Sequence, residues 1–560
     1  MSVEKLITDN IDIWTSAVKT KSASGRGSSK KLELYGVKKL RELILELAVR
    51  GKLVPQDPND EPASVLLGRI REERRAEAKN KKLKAIKPIS DSEFPCQLPI
   101  NWTFVRLEEI IQISSGKNLT AKKMDTSGKI PVYGGNGITG FHSESNVSNK
   151  TIVIGRVGFY CGSVHLTPNS AWVTDNAFIT KYSHANIDES FLVWLLKATN
   201  LSENDSATAQ PVISGKKVYP IVVALPPKKE QERIAVKIDQ LMALCDQLEQ
   251  QTEASIEAHQ VLVTTLLGTL TNSADADELM QNWTRISEHF DTLFTTEESI
   301  DQLKQTILQL AVMGKLVPQD PNDEPASVLL ERIAEEKAQL IKEKKIKKQK
   351  ALPPIMDEEK PFELPNGWEW CRLGELGYDL GGGTPSKANP EYWEGDIPWV
   401  SPKDMKRSYI DSAIDSVTSK AVEETTVKLI PVNSLLMVVR GMILAHSFPV
   451  ALTQKPVVIN QDMKALVFSK MESNYVLIMM QGLKEQMVNL VDRSSHGTCK
   501  LISEKLWGVV VAIPPLNEQK KIVSVVEELF DICEQLRVRV GNSKQTQLQL
   551  ADATIDKAVK

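Results

Sequence analysis

Gly51-Lys-Leu-Val-Pro-Gln-Asp-Pro-Asn-Asp-Glu-Pro-Ala-Ser-Val-Leu-Leu67 recurs residue for residue at Gly314–Leu330, and this repetition decides the architecture. The identity lies inside a longer similarity, Leu40–Ile70 against Leu303–Ile333, so about half the chain is duplicated. In each copy an amphipathic run (Leu40, Ile44, Leu47; Leu303, Ile307, Leu310) ends at a glycine, a helix C-terminal signal. Three prolines and an Asn-Asp pair then forbid regular structure until Ala63-Ser-Val-Leu-Leu67 opens a new helix. The motif therefore predicts a helix-loop-helix joint, structural rather than chemical, used twice.

Composition sets the background. The 560 residues are 41% apolar and 25% charged, ordinary for a multidomain globular chain. With 69 Lys+Arg against 72 Asp+Glu, no global basic excess announces a nucleic-acid partner, and any such surface has to be local. The cysteines (Cys96, Cys161, Cys245, Cys371, Cys499, Cys533) include no C-x-x-C, and the histidines show no ligand spacing, so neither a structural metal nor a disulfide framework is expected. No export signal or apolar run of spanning length is present, and a cytoplasmic location is predicted.

Along the chain, a short amphipathic segment precedes a Ser/Gly/Lys-rich tether, Lys21–Lys31, and a helix over about 32–50 leads into the first joint. A charged helix, Val65–Lys87, carries Arg69, Arg71, Arg74, Arg75 and a run of lysines; its second-copy counterpart ends in Lys342, Lys344, Lys345, Lys347, Lys348 and Lys350. Two equivalent basic runs suggest a polyanion contact, and a solvated helix face is the plain alternative. From Phe94 the texture turns to short β-rich runs. Leu98-Pro-Ile-Asn-Trp102 is matched by Leu364-Pro-Asn-Gly-Trp368, so a domain begins twice through the same turn and aromatic anchor. Arg156 and Arg440 end comparable hydrophobic strands, but the interiors otherwise diverge.

Each β-rich region closes alike, with Ile221-Val-Val-Ala-Leu-Pro-Pro227 before Glu230-Gln231 and Val509-Val-Val-Ala-Ile-Pro-Pro515 before Glu518-Gln519. A helix follows each proline pair. Ile234, Ile238, Leu241, Cys245 and Leu248 step by four and three, as do Ile522, Val526, Leu529, Cys533 and Leu536, which marks two coiled-coil seams. The first helix, over about 228–270, would be roughly 60 Å long.

Several chemistries find no support. Ser115-Gly-Lys-Asn118 and Ser214-Gly-Lys-Lys217 lack the leading glycine and final hydroxyl of a phosphate loop. The Pro-Pro pairs follow Leu225 and Ile513 rather than the Asn or Asp that an amino-methyltransferase needs, and Glu335-Glu-Lys337 sits in helix-surface charge rather than a nuclease site. No nucleophile elbow is found. The chain reads as a non-catalytic reader or scaffold.

Two variable domains with shared borders, each followed by Pro-Pro-x-x-Glu-Gln-x-x-Ile, together with the duplicated joint, resemble the specificity subunit of Type I restriction-modification systems; the long N-terminal joint resembles the subgroup called IB. The resemblance implies an α+β fold, with two β-rich mixed target-recognition domains separated by two long antiparallel coiled-coil helices and related by internal duplication with pseudo-twofold symmetry. On this reading residues 1–93 form an N-terminal helical region, 94–227 the first recognition domain, 228–271 a central helix, 272–361 a linker with the second joint and basic helix, 362–515 the second recognition domain and 516–560 a C-terminal helix. It also implies double-stranded DNA with a split recognition sequence as ligand, two modification (methyltransferase) subunits and two restriction (translocase and nuclease) subunits as partners, and no membrane. S-adenosylmethionine, ATP and Mg2+ are expected in those partners and no cofactor in this chain. The competing reading is a coiled-coil adaptor whose loop domains bind protein.

Residues in or beside Gly-rich turns, where backbone approaches a phosphate closely, are the DNA-facing candidates: Ser115, Lys117, Tyr133, Asn136, Arg156, Lys216 and Lys217 in the first domain, and Thr384, Ser386, Lys403, Arg440, Arg493 and His496 in the second. The ten seam residues are expected to pair the helices and contact partner subunits. If the helices act as a ruler, half-sites of about 3–5 base pairs stand roughly 34–36 Å apart, with a gap of about 6–8 base pairs.

Overall fold

The computed structural model describes residues 3–21, 31–77, 86–125, 127–201, 212–348, 351–493 and 498–559. The chain divides into two units, one of residues 1–256 with 542–560 and one of 257–541.

In the first unit, α1 (Tyr35–Val49) buries Leu40, Leu43, Ile44 and Leu47. It stops at Gly51, whose φ of +68° is a conformation that side chains resist, and a Cβ there would lie 2.5 Å from Pro99 Cγ. The Gln56 amide folds back onto the Gly51 carbonyl at 3.0 Å and reaches the Glu230 carboxylate at 2.7 Å. Trp102 donates its indole N–H to the other Glu230 oxygen at 3.0 Å. The Ala63 N–H, opening α2 (Ala63–Glu77), bonds the Asn101 carbonyl. The repeated motif is thus a clamp that joins a helix end, the domain's entry turn and the start of the long helix.

The entry strand β1 (Thr103–Arg106) ends in a buried arginine whose guanidinium meets Glu93 and the carbonyls of Lys87, Pro88 and Pro220. Next come β2 (Ile111–Ser115), β3 (Ile130–Gly134), β4 (Gly137–His142), β5 (Ile152–Gly155), β6 (Val164–Leu166), β7 (Trp172–Val173) and β8 (Ala177–Tyr182). They form a four-stranded sheet of order β2-β8-β5-β6 and a three-stranded sheet of order β4-β3-β7, with β7 parallel to β3. The continuously apolar β5 is buried along its length, as an interior strand should be. Helix α3 (Glu189–Ala198), capped by the Asp188 carboxylate on the Phe191 N–H, shares the unit's core with Leu40 and Leu47. Then β9 (Val222–Leu225) pairs with β1, and α4 (Lys228–Asn272) begins.

The second unit repeats the plan. Helix α5 (Glu297–Val312) leads to Gly314 at φ +69°, where a Cβ would again lie 2.5 Å from a proline ring, that of Pro365. Gln319 reaches the Gly314 carbonyl at 2.8 Å and Glu518 at 3.2 Å, and Trp368 reaches Glu518 at 3.0 Å. After α6 (Ala326–Lys342) come β10 (Glu369–Arg372), β11 (Tyr378–Gly381), β12 (Trp393–Val400), β13 (Asp415–Val417), β14 (Leu435–Val438), β15 (Val450–Thr453), β16 (Val458–Ile459) and β17 (Met463–Val467). Their order is β11-β17-β14-β15, with a short edge strand Tyr409–Ile410, and β13-β12-β16, with β16 parallel to β12. Helix α7 (Ser473–Gly482) precedes β18 (Val510–Ile513), paired with β10, and α8 (Leu516–Val559). The interiors that diverged in sequence therefore share one topology.

The seams are buried, and more than the two long helices covers them. Ile234, Ile238, Leu241, Cys245 and Leu248 are buried in one core with Leu40, Leu43 and Ile44 of α1, where Arg41 bridges Asp246 and Glu249 at 2.6 and 2.7 Å. Ile522, Val526, Cys533 and Leu536 are buried, and Leu529 half-buried, in one core with Leu303, Ile307 and Leu310 of α5. Each seam shares its core both with the helix that leads into the joint and with one end of the other long helix, so these residues are covered within the chain and not open to partner subunits. The later part of α4 lies in the second unit, with Val263, Leu267 and Leu270 in its core; the last part of α8 lies in the first, with Leu548, Ala551 and Ile555. The tether's residues 22–30 lie outside the described residues, but Lys19–Lys21 and Lys31–Glu33 form a two-stranded ribbon.

Candidate nucleic-acid interface

At one end of the first unit's sheets several loops converge on Asp175, between β7 and β8. Ser115 at the end of β2 and the Arg156 guanidinium approach its carbonyl at 3.5 and 3.4 Å, and Asn118 donates to its carboxylate at 3.1 Å. Gly116 is forced by this crowding, since a Cβ would fall 2.3 Å from the Val173 carbonyl oxygen. The Trp172 indole donates to the Lys117 carbonyl and fixes that loop, leaving the lysine side chain exposed. Asn136 sits exposed in the β3–β4 turn. Lys216 and Lys217 lie on a short helical turn, Gly215–Val218, next to the Val157–Val212 bridge; Lys216 is exposed and Lys217 donates to the Val212 carbonyl.

The second unit builds the same rim from different residues. Gly382 is locked as Gly116 is, its Cβ position 1.8 Å from the Asn460 carbonyl oxygen. Trp399 donates to the Gly383 carbonyl at 3.0 Å and so does from β12 what Trp172 does from β7. Thr384 donates to Gln461 where Asn118 meets Asp175. Lys403 is the counterpart of Asn136, because Val400 and Tyr133 hold the same place in the parallel pairs. Ser386 is exposed, its carbonyl accepting from Trp393, and Arg493 donates to the Ala445 carbonyl. His496 lies outside the described residues.

Three sequence expectations need correction. Tyr133 is buried with Val153, Ala171, Val173 and Ala177, which raises its hydroxyl pKa, and it packs instead of facing a ligand. Arg156 and Arg440 are not equivalent. The Arg156 N–H bonds the Asn176 carbonyl as the Val439 N–H bonds that of Asp462, while Arg440 takes the bridge position of Val157. Strand side chains alternate, so this one-residue slip puts the two arginines on opposite faces. Arg156 lies over the Phe178 ring at 5.5 Å with its Nε buried and without a hydrogen-bond partner, and Arg440 is half-exposed, 3.8 Å from Asp462. Third, Arg69, Arg71 and Arg74 of the basic helix are engaged in the fold, while Arg75 is exposed. Arg69 meets Glu61 and Asn186, Arg71 meets Glu109, and Arg74 donates to the Glu108 carbonyl. That helix is described as Ala63–Glu77; Lys79, Lys81, Lys82 and Lys84 lie outside the described residues, as does Lys350.

Sequence reasoning also missed the turns after β5 and β14. In Gly158–Cys161 and Gly441–Leu444 the fourth N–H bonds the first carbonyl, at 2.9 and 3.2 Å, and each opening glycine has positive φ. The signal was present as a glycine and two large apolar residues just past each strand.

The profile of the family described as "Type I restriction modification DNA specificity domain" matches residues 99–258 and again 365–540, the two stretches that carry these rims. The chain belongs to this family. Full-length relatives agree: it is 41% identical to the Type I restriction enzyme EcoAI specificity subunit and 40% identical to the EcoEI specificity subunit, both of Escherichia coli, each alignment covering 100% of both chains. Among solved structures, the HsdS subunit of Thermoanaerobacter tengcongensis matches 84% of this chain and 99% of its own at 16% identity, with a TM-score of 0.39. No helix among the described residues is long and apolar enough to cross a membrane.

Proposed function

We propose that this specificity subunit selects a split double-stranded DNA sequence for a Type I restriction-modification assembly, each unit reading one half, with no catalysis of its own. The observation that carries this is the paired rim: two loop clusters of one topology, matched by the DNA specificity profile, whose polar and cationic side chains differ. One scaffold with two sets of side chains is what reading two different half-sequences requires, since base edges are told apart by donor and acceptor placement. Ser115, Lys117, Asn136, Arg156, Lys216 and Lys217, and Thr384, Ser386, Lys403, Arg440, Arg493 and His496, remain the candidate DNA contacts.

On this reading two modification subunits using S-adenosylmethionine and two restriction subunits using ATP and Mg2+ supply the chemistry. A docking place for a partner is offered by the outer face of α4, where Val236 stands exposed beside an open cleft lined by Val54, Lys229, Glu232, Arg233, Lys237 and Gln240. Gel-shift titration with random and selected duplexes, with the modification subunits present, tests the proposal. Sequence preference is expected; equal binding of all duplexes leaves the protein-binding adaptor as the better reading. The purified chain alone is expected to transfer no methyl group.

A further inference from the structure

The turns Gly158–Cys161 and Gly441–Leu444 each present two adjacent large apolar side chains to solvent. Phe159 is 86% and Tyr160 58% exposed, and Met442 is 65% and Ile443 47% exposed. The construction is the same in both units. A glycine at φ +101° or +134° opens the turn just past the bridges Val157–Val212 and Arg440–Lys500, the apolar pair takes the two central positions, and the next residue turns inward, with Leu444 fully buried and Cys161 partly so. Central turn positions ordinarily favour Gly, Asn, Asp, Ser and Pro. Here an aromatic pair in one copy and an aliphatic pair in the other stand in interiors that have otherwise diverged, so apolar character persists where identity does not.

Cations frame each pair. Arg156, Lys216 and Lys217 flank the first turn through the Val157–Val212 bridge. Arg440 and Lys500 bridge at the base of the second, and Arg493 donates to the Ala445 carbonyl just past it. An apolar tip with cations beside it suits a ligand that is anionic outside and flat and apolar within: phosphates for the cations, base faces and thymine methyl groups for the tip.

We infer that these two turns are nucleobase-contacting tips, one per unit, each pressing its apolar pair against the bases of the half-sequence that its unit reads. This rests on the DNA-reading function proposed above. The tips supply the apolar part of the contact and the surrounding cations supply the salt-dependent part.

The full chain with its modification subunits, and a duplex that the wild-type assembly selects from a random pool, provide the test. Phe159→Ser with Tyr160→Ser, and separately Met442→Ser with Ile443→Ser, should weaken binding of the selected duplex on the order of tenfold or more. Binding of a random duplex, and the slope of log affinity against log salt, should not change, because no phosphate contact is removed. Renewed selection should relax one half-sequence for the first variant and the other for the second. Phe159→Leu with Tyr160→Leu should recover most of the affinity. An unchanged affinity for the selected duplex overturns the inference, and so does an equal loss on both duplexes. Loss of subunit association with DNA affinity of the remaining complex intact also overturns it, by assigning the tips to a protein partner. A wild-type assembly that selects no sequence overturns the reading beneath it as well.

Discussion

Glu230→Ala should loosen the first clamp by an amount that its bonds define. The Glu230 carboxylate accepts from Trp102 at 3.0 Å and Gln56 at 2.7 Å, and among the described residues it is the acceptor of the buried indole N–H. A buried donor left unmade costs about 1–3 kcal/mol. Gln56 keeps the Gly51 carbonyl at 3.0 Å, so its share is the smaller. Burial is the main cause that raises the Glu230 pKa, and removing the carboxyl relieves that desolvation, which places the net loss at about 2 kcal/mol. Glu230→Gln keeps one acceptor and the volume and should lose less than about 1 kcal/mol. Urea unfolding followed by tryptophan fluorescence reads both variants, and Glu518→Ala supplies the duplicate in the second unit, where the carboxylate takes the same two partners. A cycle with Trp102→Phe should give a coupling above about 0.5 kcal/mol. If Glu230→Ala unfolds within about 0.5 kcal/mol of wild type, the carboxylate does not hold the joint and the reason offered for the repeated motif fails.

The other predictions concern pH, thiols, salt and spacing. Glu93, held at about 2 by the Ser90 N–H and then Arg106, and Glu359, held at about 2 by Arg372 and then the Met356 N–H, have folded pKa values below the ordinary 4.5. Their stabilisation is complete above that value and is lost as pH falls toward about 2, so Glu93→Gln with Glu359→Gln should flatten the acid limb of stability against pH; an unaltered limb refutes the assignment. Burial pushes the Cys245 thiol up to about 11 and Cys371 well above its ordinary value, so iodoacetamide should label native Cys96 and Cys161 while Cys245 and Cys371 stay protected until urea is added. Lys216→Ala with Lys217→Ala should reduce the salt slope of DNA binding by about 0.9 per lost phosphate contact, and an identical slope would move those lysines off the backbone. Four residues inserted near Thr252 lengthen α4 by about 6 Å and should widen the preferred gap by about one to two base pairs with both half-sequences unchanged; altered half-sequences with a constant gap would put site choice in the loops alone.

Much of the fold was legible because duplication repeats its own punctuation. Gly51 and Gly314 end helices, Trp102 and Trp368 anchor the entry turns, and the Pro-Pro pairs precede long helices, each visible as a matched residue. The part that α1 and α5 take in covering the seams was not visible, since heptad spacing names a buried face without naming every face that covers it. The shared interior topology was hidden for a related reason. Trp172 and Trp399 do one job from non-equivalent strands, and Asn118–Asp175 is replaced by Thr384–Gln461, so structure persists through substitutions that alignment reads as unrelated. Arg156 and Arg440 misled in the opposite way, because one residue of register separates two positions that look alike in sequence. Glu230-Gln231 and Glu518-Gln519 read as a helix start, whereas each pair is a buried hub: Gln231 and Gln519 bond the carbonyls of Pro226 and Pro514 and accept from the N–H groups of Asp188 and Glu472.

Mapping N6-methyladenine across the genome of cells that carry this chain and its modification subunits measures site selection directly. Two distinct half-sequences of about 3–5 base pairs, separated by a fixed gap of about 6–8 and lost together when the chain is deleted, are the predicted result. Methylation that survives the deletion, or that falls on one uninterrupted sequence, would contradict the assignment of one half-sequence to each unit.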